Sequence, residues 1–169
     1  MPVLVSDTSV LIDLERGSFL EAAFRLQDAF VVPDLLYERE LRAQGGARLR
    51  QLGLRVEPLP PEIMVEAIAL LRSHPVLSVP DCFAMALAEA NGWTLLTGDG
   101  TLRELAVRRQ LDCHGVLWVL DRMLHEAVAT VTALHSGLSA IAAHPRCRLP
   151  SQEISARLEV YARLLESDR

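Results

Sequence analysis

Three aspartates stand where a strand gives way to a helix or where a helix begins. Asp7 follows the apolar run Val3-Leu4-Val5-Ser6, which reads as a buried strand. Asp99 follows a second such run, Trp93 to Thr97, and Asp81 opens the strongly apolar helix Cys82 to Ala90 that leads into it. Glu38 and Glu40 lie in the helix after a further strand, Ala29 to Val32, which Pro33 closes. Each aspartate alone has an ordinary role open to it, as an N-cap accepting backbone N–H bonds. Each glutamate alone reads as a solvated helix residue. Their joint arrangement points further, because crowded carboxylates repel and raise one another's pKa. Such a cluster is costly unless cations neutralise it. Hard oxygen ligands with room for water suit Mg2+ or Mn2+. Glu38 and Glu40 are two residues apart, hence about 200° apart on an α-helix, so only one can face the other acids.

The elements that must position these acids alternate. Strands are expected at 3–6, 29–32, 54–59, 93–97 and 113–116. Helices are expected from Val10 to near Gly17, from a Ser18 cap through Gln27, from Asp34 to Ala43, over 47–52, over 62–72, over 82–90 and over 101–109. Strands alternating with helices imply an α/β fold with a parallel sheet, and such sheets carry their sites beyond the carboxyl ends of the strands. A helix running back antiparallel to its strand starts on that edge, so Asp7, Asp81, Asp99 and the Glu38/Glu40 helix are expected to converge there. Beyond residue 117 the alternation stops. Helices are expected at 117–129, 130–143 and 151–166, broken at His144 to Pro150.

Composition narrows the chemistry. Of 169 residues, 50% are hydrophobic and 23% charged, enough apolar material for a real core. All 17 cationic residues are Arg, so a P-loop, which needs its Lys, and Schiff-base chemistry on a lysine are both excluded. Net charge is −5, no general footprint for nucleic acid, so such a partner needs a local arginine cluster or metal ions. Cys82, Cys113 and Cys147 are widely spaced and read as inert thiols rather than a zinc site. No apolar run is long enough to span a bilayer, and no basic region precedes the first apolar residues; a cytoplasmic protein is expected.

Four segments carry a resemblance: Val5-Ser6-Asp7-Thr8-Ser9-Val10-Leu11-Ile12, the Val32-Pro33 strand exit with Glu downstream, Asp81-Cys82-Phe83-Ala84-Met85-Ala86-Leu87-Ala88, and Leu96-Thr97-Gly98-Asp99. In this order and spacing they resemble the PIN-domain nucleases, which include the toxin ribonucleases of VapC-type toxin–antitoxin pairs. The resemblance implies a three-layer α/β/α fold, with a five-stranded parallel sheet in the order 3-2-1-4-5, in a nuclease domain over 1–125. Beyond it, apolar stripes at Leu134, Leu138 and Ile141 and at Ile154, Leu158, Tyr161 and Leu165 predict a C-terminal helical extension over 126–169 packed on that domain. The resemblance also implies a Mg2+- or Mn2+-dependent ribonuclease hydrolysing RNA phosphodiester bonds, with Asp7, Asp81 and Asp99 as catalytic and metal-binding acids. Glu40, which directly precedes Leu41, is the preferred fourth acid and Glu38 the alternative. Thr8, Ser9 and Thr97 match hydroxyl positions expected to orient the carboxylates or water. Arg103, Arg108 and Arg109, on the helix after Asp99, are candidates for substrate phosphates; a solvated helix face is the competing reading.

Partners follow from the same resemblance: RNA as substrate, an antitoxin protein, and a second copy of the chain, with no membrane. Apolar residues in 18–27 and 61–72 beyond what one sheet face needs point the same way for a homodimer. A phosphoacceptor receiver domain, which also places an Asp after its first strand, requires a lysine. A haloacid-type phosphotransferase requires an Asp where Ser9 stands. A non-catalytic PIN-like module binding RNA or protein is the alternative function.

Overall fold

Five parallel strands form one sheet in the order β3-β2-β1-β4-β5. They are β1 (Val3–Ser6), β2 (Ala29–Pro33), β3 (Arg55–Glu57), β4 (Thr94–Leu96) and β5 (Cys113–His114). The computed structural model describes residues 1–167. β1 is central, with Val5 opposite Val31 on one side and Leu95 on the other. Its Leu4 and Val5, with Phe30, Val31, Val32, Leu95 and Leu96, are buried, as expected for strands covered on both faces. The edge strands are short and half-exposed. The chain moves outward from β1 to β3, then returns to the other side of β1 with β4. That reversal opens a crevice at the carboxyl ends of β1 and β4, where Asp7 and Asp99 stand.

The sheet lies between helical layers. α5 (Pro61–Ser73) packs on α6 (Val79–Asn91), and α6 packs on β1, β2 and β4. α6 is apolar nearly all round, with every residue from Cys82 to Ala88 buried. In the other layer α1 (Thr8–Arg16) packs against α8 (Val116–His125) and α9 (Val131–Ala143). α10 (Ser151–Ser167) lies on α9. The remaining helices are α2 (Leu20–Ala23), α3 (Asp34–Leu36), α4 (Gly46–Leu52) and α7 (Gly100–Arg108).

Three local expectations are corrected. Ser18 caps no helix. It takes the left-handed conformation (φ 58°) that ends α1, with the Phe19 N–H bonded to Leu14 O at 2.7 Å, and only one helical turn follows. Gly17 is required for packing instead: a Cβ there would lie 2.4 Å from the Phe19 ring and 2.9 Å from Ile141. The helix after Pro33 is not a continuous α-helix, because α3 passes into a π-helical turn, Tyr37–Leu41, closed by the Arg42 N–H on Tyr37 O at 2.8 Å. Such turns insert a residue and re-aim side chains, often at functional sites. Segment 18–27 offers little surface for a dimer, since Phe19, Leu20, Ala22, Ala23 and Leu26 belong to the chain's own core.

The C-terminal helices share that core. Leu134, Leu138 and Ile141 of α9 are fully buried, and Tyr161 of α10 is 1% exposed. On this packing we propose that 126–169 is an extension of one folding unit with 1–125. Removing it would uncover the apolar sides of α1 and α8. Limited proteolysis is therefore expected to yield no stable 1–125 fragment. A fragment that keeps a cooperative melt would make the tail a detachable module.

Candidate active site

The local sequence places Asp7 by backbone and side chain together. Its N–H bonds Leu96 O at 2.9 Å, which carries the β1–β4 pairing one residue past the strand. Its Oδ1 accepts from the Val10 N–H at 3.0 Å, making Asp7 the N-cap of α1, and from Ser9 Oγ at 2.7 Å. Oδ2 accepts from the Thr97 hydroxyl. Asp7 is 3% exposed. Burial is the main force raising its pKa above 3.8; these hydrogen bonds oppose the rise, and Asp81 adds to it.

The hydroxyls tie the strand ends together. Ser9 Oγ accepts the Gly98 N–H at 2.9 Å, and Thr97 Oγ accepts the Asp99 N–H at 3.0 Å. Asp99 in turn caps α7 through the Leu102 N–H at 2.8 Å. Gly98 has to be glycine for this contact, since a Cβ would sit 2.9 Å from Ser9 Oγ. Asp7 and Asp99 are thus caps as well as site candidates.

Asp81 is not the N-cap of α6. The helix begins two residues earlier, and Ser78 caps it by accepting the Asp81 N–H at 3.2 Å. Asp81 stands third in the helix, the acid position of a capping box. Burial raises its pKa above 3.8, a Ser78 hydrogen bond opposes this, and the charges of Asp99 and Glu40 add to the rise. Glu40 reaches the same edge from the π-turn and accepts from the Thr8 hydroxyl, next to Asp7. Glu38 turns outward, pairs with Arg42 at 2.6 Å, and is 54% exposed.

Asp7 therefore feels the charge of Asp81, and Asp81 that of Asp99 and Glu40, at one sheet edge. Among the described residues, however, no three acid, His or Cys side chains converge on one metal position. The donor set fits a hard cation held by one or two carboxylates and by water, the usual Mg2+ arrangement, with the remaining acids acting through water.

The arginines after Asp99 are occupied. Arg103 donates to Thr97 O at 2.9 Å and braces the end of β4. Arg108 pairs with Glu104 at 3.6 Å on an exposed face, and Arg109 grips Glu89 through both carboxylate oxygens at 3.0 and 2.9 Å. Arg103 and Arg109 are thus engaged elsewhere, whereas Arg146 and Arg148 have no ion-pair partner among the described residues. Arg16, Arg146 and Arg148 instead line a cleft of about 250 Å³ beside Ser9, Gly98 and Asp99. Nothing local singles out Arg16, and Arg146 and Arg148 read in sequence as an exposed loop. Burial pushes Cys82 and Cys113 up to about 11, which keeps both thiols protonated at neutral pH, as expected for inert cysteines.

The raised acids set a pH dependence. A carboxyl whose pKa is higher in the folded than the unfolded chain binds its proton more tightly when folded. Between 3.8 and the raised value, stability therefore falls as pH rises. The cation-free protein is expected to melt at a higher temperature at mildly acidic than at neutral pH. Asp7→Asn should flatten part of that slope, which thermal melts across the range will measure.

Comparison with curated proteins gives no match. Among solved structures, the chain is similar to one from a toxin–antitoxin complex of Klebsiella pneumoniae. The TM-score is 0.43 and identity 21%, over 59% of this chain and 87% of that one. The sequence profile of a PIN-domain family matches residues 3–162, nearly the full length and including every acid described above. The chain belongs to the PIN-domain family.

Proposed function

We propose that the protein is a Mg2+- or Mn2+-dependent endoribonuclease that hydrolyses RNA phosphodiester bonds. The observation that carries this reading is the buried Asp7. Burial raises its pKa and the charge of Asp81 adds to the rise, while bonds from Ser9, Val10 and Thr97 favour the charged form. Such an arrangement stores an electrostatic penalty that a cation relieves. Membership in a nuclease-type family that uses divalent metal ions supports it. Asp7 and Asp99 are the direct ligands in this proposal, and Asp81 and Glu40 bind directly or through water. A divalent cation there lowers the pKa of water and stabilises charge on phosphate oxygens. Ser9 and Thr97 fix the Asp7 carboxylate, and Thr8 fixes Glu40, so the acids need little reorganisation when substrate arrives.

The experiment is cleavage of structured and unstructured RNA with Mg2+, with Mn2+ and with chelator, beside an Asp7→Asn variant. Expected is cleavage that requires the cation and Asp7. One observation favours the alternative, a non-catalytic RNA- or protein-binding module: no three acids converge on one position among the described residues. Absence of cleavage with both metals, together with retained RNA binding, would establish that alternative.

The toxin of a toxin–antitoxin pair is the biological role we propose, with an antitoxin as partner. A neighbouring reading frame for a small DNA-binding protein would support it. A homodimer through α5 belongs to the same proposal, since Met64 (42% exposed), Val65 (64%) and Ile68 (39%) lie on its outer side. Among the described residues no helix is long and apolar enough to cross a membrane. A cytoplasmic location fits the proposed RNA substrate.

A further inference from the structure

We propose that Arg146 and Arg148, from the turn between α9 and α10, form with Arg16 a subsite that binds a backbone phosphate of the RNA strand beside the scissile one. This rests on the ribonuclease reading for what lies next to it, but its own evidence is separate. The three arginines line one cleft with Ser9, Asp13, Gly98 and Asp99. They come from two places far apart in sequence, the last turn of α1 and the C-terminal extension. Arg146 and Arg148 are exposed and have no ion-pair partner among the described residues. Most other arginines of the chain are paired, Arg109 and Arg157 through both oxygens of a carboxylate. In a chain of net charge −5, unpaired arginines gathered beside an acidic site are the local cluster that an anionic polymer needs. Arg16 touches Asp13 through one Nη at 3.3 Å, which leaves most of its five donors for a ligand.

The position of the turn is set by packing. α9 is held on the end of α1 by Gly17, Phe19, Gly137 and Ile141. Beyond it, Cys147 N–H on His144 O at 2.9 Å and Arg146 N–H on His144 Nδ1 at 3.1 Å fold the chain back, and Leu149 lines the same cleft. Ile12, 38% exposed, borders both this cleft and the cavity beside Glu40 and Thr8. Ile12 thus joins the two. A strand crossing it would reach from Glu40 to the guanidinium groups beside Asp99. Planar guanidinium groups bind phosphate oxygens in pairs, which gives orientation as well as charge.

The test measures binding of a labelled single-stranded RNA of mixed sequence by fluorescence anisotropy, over a range of salt, in the full-length protein carrying Asp7→Asn and in chelator. Cleavage by the otherwise unaltered protein is assayed in parallel. Arg146→Ala with Arg148→Ala is expected to weaken binding about tenfold or more and to lower the salt slope by about 0.7. The corresponding double Lys change is expected to keep the slope and recover part of the affinity. Arg163→Ala, on the exposed face of α10, is expected to change neither. Binding within about twofold of the parent with an unchanged slope in the double Ala variant overturns the subsite, as does a parent that binds no RNA. Cleavage by the unaltered protein in the first case leaves the ribonuclease reading standing. Binding that depends on Arg146 and Arg148 without any cleavage leaves the subsite standing and removes the ribonuclease reading.

Discussion

Asp7→Asn is expected to reduce RNA cleavage by about 10³-fold while leaving the melting temperature equal or higher. A lost carboxylate ligand removes several kcal/mol of transition-state stabilisation, and about 4 kcal/mol is a thousandfold in rate. The fold should tolerate the change. Asn caps a helix as well as Asp, and its carbonyl can still accept from Ser9 Oγ and the Val10 N–H. Its amide can donate to Thr97 Oγ once that hydroxyl rotates. The substitution also removes a buried carboxyl whose charged form burial and Asp81 disfavour. If Asp7 were only a cap, Asp7→Asn would leave cleavage unchanged and Asp7→Ala would lower stability by about 1 kcal/mol with no separate effect on catalysis. Single-turnover cleavage and thermal melts of the two variants separate the readings. A variant that keeps more than about a tenth of parental activity would remove Asp7 from the chemistry.

Gly137→Ala is expected to have the largest effect on stability. In most helix interiors this exchange stabilises by about 0.5–1 kcal/mol, because Gly has more freedom to lose on folding. Here an added Cβ would lie 2.2 Å from Phe19 Cζ and 2.5 Å from the Gly17 carbonyl oxygen. The ring can tilt, but the backbone oxygen cannot retreat without shifting the end of α1. Overpacking of this kind costs about 1–3 kcal/mol. At the upper end that lowers the melting temperature by roughly 6–12 °C for a chain of this size. A neutral or stabilised variant would show that α9 does not sit as close to α1 as described. Because α9 carries the turn with Arg146 and Arg148, the same change should also weaken RNA binding, measured well below its own melting temperature.

Much of this molecule is legible in the linear chain. Apolar runs bounded by turn residues locate the three inner strands, because strands buried on both faces leave little choice of residue type; the half-exposed edge strands are located by their place in the strand–helix alternation. An aspartate after β1 and another after β4 are legible for a related reason: the strand-to-helix turn needs a cap, and the parallel sheet puts all such turns on one edge. That only one of Glu38 and Glu40 can face the other acids follows from their separation on a helix; which one does not, and Glu40 is the one beside Thr8.

What the tertiary structure alone decides involves groups whose roles depend on distant partners. Asp81 gives up the cap to Ser78, because Pro80 and Val79 extend α6 backward. The π-turn at Tyr37–Leu41 has no marker in residue type, since it differs from an α-helix only in which carbonyl each N–H meets. Arg109 looks as available as Arg148 in the sequence, yet it is held by Glu89, a residue of another helix. The cluster of Arg16 with Arg146 and Arg148 exists only because Gly17 and Gly137 let α9 rest on α1. Local sequence fixes where a chain turns and which face it buries. Which charges meet across a cleft is set by packing between segments, and no local pattern encodes it.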